Sequence, residues 1–212
     1  EIMPEYIIWD WNGTLLDDSE ASLEAMSNVL DKYGMKRLSR RRYMDIFTFP
    51  VVEYYKLVGF DLSKLSFEEL SAAYVEEYAG LSEACALTRG AREVLDSFKN
   101  RGLKQILLSA SEKGTLLRQA KALGVDTYFY HIIGADNIHA YGKAKLAADF
   151  IKASGLKGED GVLIGDTLHD YETALSINCR CILYFSGHQS RDRLVKCGST
   201  VIDRLTELIN LI

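Results

Sequence analysis

No apolar run in the sequence approaches the roughly 20 residues of a membrane-spanning helix, and the patch Tyr6-Ile7-Ile8-Trp9 is only strand-sized. No positively charged segment followed by an apolar one opens the chain, so nothing resembles a secretory signal. These absences set the expectation of a cytoplasmic protein with no membrane partner. A basic excess is also lacking: 25 lysines and arginines face 30 acidic residues, for a net charge of −5. Such a chain has no global attraction for nucleic acid or an anionic surface, and any bound phosphate needs local donors. The four cysteines, Cys85, Cys179, Cys181 and Cys197, include no C-x-x-C pair. Cys179 and Cys181 share one face of a predicted strand, which fits reduced, buried thiols used as small hydrophobes. Proline occurs only at Pro4 and Pro50, and no repeat or low-complexity segment interrupts the chain.

What is present is an ordinary globular composition, 48% hydrophobic and 26% charged, in a chain long enough to bury a core without staples. Tyr6 to Asp10 reads as a buried strand broken at Asn12-Gly13. From Ser19 to about Ala84 the apolar residues recur at helical spacing, as in Leu23, Met26, Val29 and Leu30, with Ser39 as a helix cap and helical runs at Val51–Leu57 and Phe67–Tyr78. After Gly90 the pattern alternates. Helices are predicted at Ala91–Lys99, Lys113–Leu123, Lys143–Ser154, Asp170–Ile177 and Arg204–Leu211, separated by strands at Gln105–Ser109, Tyr130–Ile133, Gly161–Gly165, Cys181–Tyr184 and Val201–Ile202. Continuously apolar strands between amphipathic helices mean a parallel sheet covered on both faces. The helical block after the first strand far exceeds the dozen or so residues of a crossover. The expected organisation is therefore an α/β, Rossmann-like parallel-sheet core, residues 1–15 with 85–212, carrying an inserted α-helical cap at 16–84.

Ligands of open parallel sheets bind outside the carboxyl ends of the strands. Asp10 closes the first strand, Ser109 the second and Asp166 a later one, while Lys143 opens a helix between them. Carboxylates suit a hard cation such as Mg²⁺, and a lysine and a hydroxyl suit phosphoryl oxygens. Each residue also has an ordinary reading. Asp10 before Asn12-Gly13 fits a turn, Ser111 a helix cap, Lys143 a solvated lysine, and Asp170 an N-cap. Together, in order and at strand ends, they favour a site.

Asp10-Trp11-Asn12-Gly13-Thr14-Leu15, Leu108-Ser109, Lys143 and Gly165-Asp166-Thr167-Leu168-His169-Asp170 resemble the four ordered motifs of the haloacid-dehalogenase-like hydrolase superfamily. The insert after the first motif is similar to its small helical-cap class, which includes phosphoglycolate phosphatases. The resemblance implies that Asp10 attacks phosphorus to form an aspartyl-phosphate, and that Asn12, Ser109 and Lys143 complete the catalytic set. It further implies that Thr14, Ser109, Ala110 and Lys143 bind the phosphoryl group. Asp10, the Asn12 carbonyl, Asp166 and Asp170 would ligate Mg²⁺. Lys145 is a rival for the lysine role, but Gly142 before Lys143 marks the helix start.

One motif position departs from the family. Most of its phosphatases carry an aspartate two residues after the nucleophile, as the proton donor and acceptor, and Asn12 cannot exchange protons. Three readings follow: an acidic leaving group that needs no proton, a substitute acid such as His169 or a cap side chain, or a site that only binds phosphorylated ligands. The expected function is a Mg²⁺-dependent phosphatase of a small phosphorylated metabolite, phosphoglycolate-like by resemblance, monomeric or homodimeric. Its alternatives are a phosphate-binding or regulatory protein and a phosphomutase. In the insert, Phe47-Thr48-Phe49-Pro50 and the tyrosines 54, 55, 74 and 78 read chiefly as packing. The basic cluster Lys36, Arg37, Arg40, Arg41 and Arg42 reads as a solvated face.

Overall fold

A computed structural model describes residues 3–135 and 142–212. Six parallel strands form one sheet: β1 (Tyr6–Trp9), β2 (Lys104–Glu112), β3 (His131–Ala135), β4 (Gly161–Gly165), β5 (Arg180–Tyr184) and β6 (Thr200–Ile202). Their order is β3-β2-β1-β4-β5-β6. The chain winds outward in one direction from β1 through β3 and in the other from β4 through β6, so the winding reverses between β1 and β4. That reversal opens the crevice in which such sheets hold ligands. In register, Trp9 lies opposite Leu107 on β2 and Ile164 on β4, which brings the ends of all three strands to one edge.

The strands are apolar on both faces because both are covered. Ile7, Trp9, Leu107, Val162 and Ile164 face a cluster that includes Val94 and Phe98 of α5 (Ala91–Asn100) and Leu116 of α6 (Lys113–Ala122). Tyr6, Ile8, Ile106, Leu108 and Leu163 face the opposite cluster, with Ala147 of α7 (Lys143–Ser154) and Ala174 of α8 (Leu168–Ser176). The period of two along each strand sorts side chains to alternate faces. Cys179 and Cys181 are buried in the second cluster, and all four cysteines are free thiols.

Between β1 and β2 lie α1 (Ser19–Lys32), α2 (Arg40–Ile46), α3 (Val51–Val58) and α4 (Phe67–Ser82). They enclose a third apolar cluster built from Met26, Leu30, Tyr43, Tyr54, Tyr55 and Leu70 among others. Ser39 caps α2 as expected, its hydroxyl accepting from the Arg42 amide at 3.2 Å. The two connections to this block run side by side. Leu16 and Leu87 form an antiparallel bridge, and the Thr88 and Asp17 amides donate to the Leu15 and Ala86 carbonyls at 2.8 and 3.0 Å.

Several element ends differ from expectation. β2 continues to Glu112 through a register shift against β3, and Glu112 rather than Ser111 caps α6, accepting from the Gly114 and Thr115 amides at 2.7 and 2.8 Å. A carboxylate reaches two orphan amides at once, which a serine hydroxyl does not. α8 starts at Leu168, which makes Asp170 the third residue of a capping box with Thr167 rather than the N-cap. The final helix divides into a 3₁₀ turn at Leu205–Glu207 and a short α-helical turn at Leu208–Leu211.

Candidate active site

The carboxyl ends of β1, β2 and β4 and the first turns of α7 and α8 bring Asp10, Ser109, Lys143, Asp166 and Asp170 to one cavity. All five are buried. The Lys143 ammonium donates to Asp10 Oδ1 and to Asp170 Oδ1, bridging the two carboxylates. Thr14 Oγ1 donates to Asp10 Oδ2 at 2.9 Å and reaches Asp166 Oδ1 at 3.4 Å. Ser186, after β5, donates to Asp166 Oδ2 at 2.8 Å. Gly13 has φ 75°, and a Cβ there would lie 2.4 Å from Asp166 Oδ2 and 2.3 Å from His188 Cδ2, so only glycine allows this turn. Lys145, the rival lysine, is exposed and pairs with Asp149.

The oxygens of Asp10, Asp166 and Asp170 lie within 4.8 Å of one another. Burial pushes Asp10 up to about 6, against the opposing pull of Lys143 and with a further push from Asp170. Burial also raises Asp166 well above the usual carboxylate range, opposed by His188 and reinforced by Asp10 and Asp170. For Asp170 burial is opposed by the charge of Lys143 and by hydrogen bonds from Lys143 and Thr167, which together hold the carboxyl low. A buried cluster of carboxylate oxygens, costly to ionise without a counter-charge, fits a hard divalent cation. The fit is uneven, however. Asp170 Oδ1 accepts from Lys143, while Oδ2 accepts from the Asp166 and Thr167 amides and the Thr167 hydroxyl at 3.2, 3.0 and 2.8 Å. Both its oxygens are therefore already engaged.

Asn12 is held from both ends. Its Oδ1 accepts from Ser109 Oγ at 3.3 Å and Ser111 Oγ at 2.9 Å. Its Nδ2 donates to Asp18 Oδ2 at 3.1 Å and to Tyr78 Oη at 2.8 Å. Asp18, Tyr78 as a polar partner, and His188 are members of the site that sequence reasoning missed. Asp18 occupies the N-cap position of α1 but gives that helix no side-chain bond. Its carboxylate instead accepts from the Gly13 amide at 2.6 Å, from His188 Nε2 at 3.1 Å, from Asn12 and from Tyr78. His188 continues through Tyr43 Oη at 2.6 Å to Ser22 and Tyr74. Burial alone would lower the His188 imidazolium, but Asp18, Asp166 and Asp10 carry it up to about 9. The strand-end rule that selected Asp10 and Asp166 would also have found His188, which follows β5.

Beyond the carboxylates the cavity, about 320 Å³ in volume, continues between the sheet and the helical block. Ala110 and Ser111 line the sheet side, while Phe47, Phe49 and the tyrosines 54, 55, 74 and 78 line the other. These aromatics were expected to serve chiefly as packing. Tyr54 and Tyr55 do belong to the third cluster, yet they also form a cavity wall. His169 lies in this wall stacked on Phe49, ring centroids 4.7 Å apart, and burial lowers its basicity. The basic cluster stays outside: Arg37 pairs with Glu24 and Asp31, and Arg40 with Glu20.

A parallel α/β sheet with carboxylates flanking its winding reversal places a candidate active-site crevice at that point. The family model for haloacid dehalogenase-like hydrolases matches residues 7–184, and the chain belongs to that family. It is 24% identical to a phosphoglycolate phosphatase of Pseudomonas fluorescens strain Pf0-1, over 98% of this chain and 79% of that protein. It is 26% identical to a 5'-nucleotidase of Pseudomonas aeruginosa, over 89% and 86%. The fold is similar to that of CbbY from Rhodobacter sphaeroides, solved in complex with phosphate, with a TM-score of 0.75 at 19% identity over 97% and 96% of the two chains.

Proposed function

We propose that this protein is a magnesium-dependent phosphatase of a small phosphorylated metabolite, acting through an aspartyl-phosphate on Asp10. The carrying observation is Asp10 itself: a buried carboxylate at the end of β1, oriented by Thr14 and Lys143 with Asp166 across the crevice. Asp10 attacks phosphorus, and the leaving oxygen departs with its electron pair. Water then hydrolyses the acyl phosphate and restores the carboxylate. Lys143, Ser109 and the Ala110 backbone bind the phosphoryl oxygens, and Thr14 keeps Asp10 turned toward them. Asp10, Asp166 and the Asn12 carbonyl would hold Mg²⁺, which supplies charge neutralisation of the phosphoryl group. Asp170, with both oxygens engaged, positions Lys143. Segment 16–84 acts as the cap that selects the leaving group. No described helix is long and apolar enough to cross a membrane, and the four free thiols support work in a reducing cytoplasm.

Phosphate release should require Mg²⁺ and should vanish in Asp10→Asn while the circular dichroism spectrum is retained. Normal turnover by that variant would remove the nucleophile assignment. A second reading, a phosphate-ligand binding protein, draws support from Asn12, whose four hydrogen bonds hold an amide where a proton carrier is expected. Magnesium-dependent phosphate binding without turnover on any ester would favour it.

A further inference from the structure

The cavity's outer half recognises a leaving group, and its chemistry is uniform. Among the described residues lining it, the helical block contributes no lysine or arginine. Lys143 is taken up by Asp10 and Asp170 and, in the proposed reaction, by the phosphoryl oxygens, His188 is paired with Asp18, and His169 is the partner of an aromatic stack. A carboxylate or second phosphate on the leaving group would thus enter a wall with no cation to meet it. What the wall offers is rings. Phe47 and Phe49 meet edge to face with centroids 5.5 Å apart, and Tyr74 and Tyr78 stack at 5.8 Å. One of these rings, Tyr54, is 3% exposed and carries a buried hydroxyl with no hydrogen-bond partner among the described residues.

The second observation is independent. Asn12 cannot protonate a leaving oxygen, the Asp18 carboxylate beside it is saturated by donors, and His169 is stacked on Phe49, so the site favours a leaving group that departs as an anion by its own acidity. A phenol, with a pKa near 10, is more acidic than water by roughly five to six powers of ten; an alkyl alcohol has no such advantage.

The geometry points to a small aryl phosphate, one uncharged aromatic ring esterified through a phenolic oxygen, as the substrate class of this site. The inference rests on the phosphatase reading given above. Asp10 Oδ forms the bond to phosphorus as the phosphorus–oxygen bond to the ring breaks. The phenolate leaves with the electron pair and takes one proton of a water molecule. The oxygen and remaining proton of that water end on phosphorus as the aspartyl-phosphate is cleaved, which releases hydrogen phosphate and restores the Asp10 carboxylate. One water is consumed, and phenol and phosphate are the products.

The test has two arms. In the first, isothermal titration with Mg²⁺ compares phenylphosphonate, ethylphosphonate and phosphonoacetate, none of which can be turned over. Phenylphosphonate should bind at least about tenfold more tightly than either of the others. Phe49→Ala should lose about tenfold more affinity for phenylphosphonate than for inorganic phosphate. Equal or tighter binding of phosphonoacetate would overturn the aromatic assignment even in a working phosphatase. In the second arm, kcat/KM for phenyl phosphate should exceed that for ethyl phosphate and phosphoglycolate by at least about a hundredfold. Parity among the three would overturn the proposal. No turnover on any ester, with phenylphosphonate still preferred, would overturn the hydrolytic part alone and leave the aromatic preference supported.

Discussion

Asp18 and Asn12 are bound to each other: the Asn12 amide nitrogen donates to Asp18 Oδ2 at 3.1 Å. The residue at the expected proton-carrier position therefore faces a carboxylate that three further donors already saturate. Burial would raise Asp18, but His188, Tyr78 and Asn12 hold it below the usual range. It stays anionic and cannot serve as the missing acid.

Asn12→Asp would set a second carboxylate against Asp18. Two such groups at hydrogen-bond distance cannot both ionise, so the pair would share a proton near neutrality. The variant should gain about 10²-fold or more in kcat/KM on ethyl phosphate, the low end of general acid catalysis, with little gain on phenyl phosphate. Combining it with Asp18→Asn should cancel part of the gain. Steady-state kinetics on the two esters would check both.

In the proposed reaction, the hydrolytic half lacks a base for the same reason that the first half lacks an acid: Asn12 exchanges no proton. With para-nitrophenyl phosphate, phosphorylation of Asp10 should outrun its hydrolysis. Stopped-flow absorbance should then show a burst of nitrophenolate close to one equivalent per active site. A linear trace from time zero would mean that another group activates the water.

Burial raises Asp10 to about 6 and holds Asp166 well above the usual carboxylate range. A carboxyl raised on folding destabilises the native state as pH climbs past its unfolded value, and the cost is complete above the folded value. For Asp10 that window runs from about pH 4 to 6. A divalent cation relieves the cost only where the carboxylates are charged. The rise in Tm on adding Mg²⁺ should therefore be several degrees at pH 7.5 and much smaller at pH 5, measured by differential scanning fluorimetry.

His188 has the opposite sign. It is pushed up to about 9, so its contribution is present below pH 6.5 and lost as pH rises to 9, roughly 3 kcal/mol across that window. Without added metal, urea denaturation of the wild type should show stability falling between pH 6.5 and 9. His188→Gln should start lower and be flatter over the same range.

The sheet, and the residues carried by strand ends, were legible because their signals are local. Tyr6 to Trp9 is apolar and ends at a turn, and Gly142 announces the helix that carries Lys143. The Asp18–His188 pair was not legible, because its partners are 170 residues apart and no spacing rule links them. The wall aromatics failed differently. Tyr54, Tyr74 and Tyr78 have the helical spacing that packing requires, and periodicity cannot tell a side chain facing a core from one facing a void. Ser111 was read as a cap because caps are a local habit, whereas its bond to Asn12 spans 99 residues.

The paired connections at Leu15–Asp17 and Ala86–Thr88 have a further consequence. The chain leaves the sheet and returns to it at neighbouring points that hydrogen-bond to each other. Whatever lies between is joined to β1 through a closed collar, and it is also keyed into the crevice by Asp18, Tyr43 and Tyr78. Loops within the four-helix block can change length without moving Asp10, provided that these three anchors keep their places.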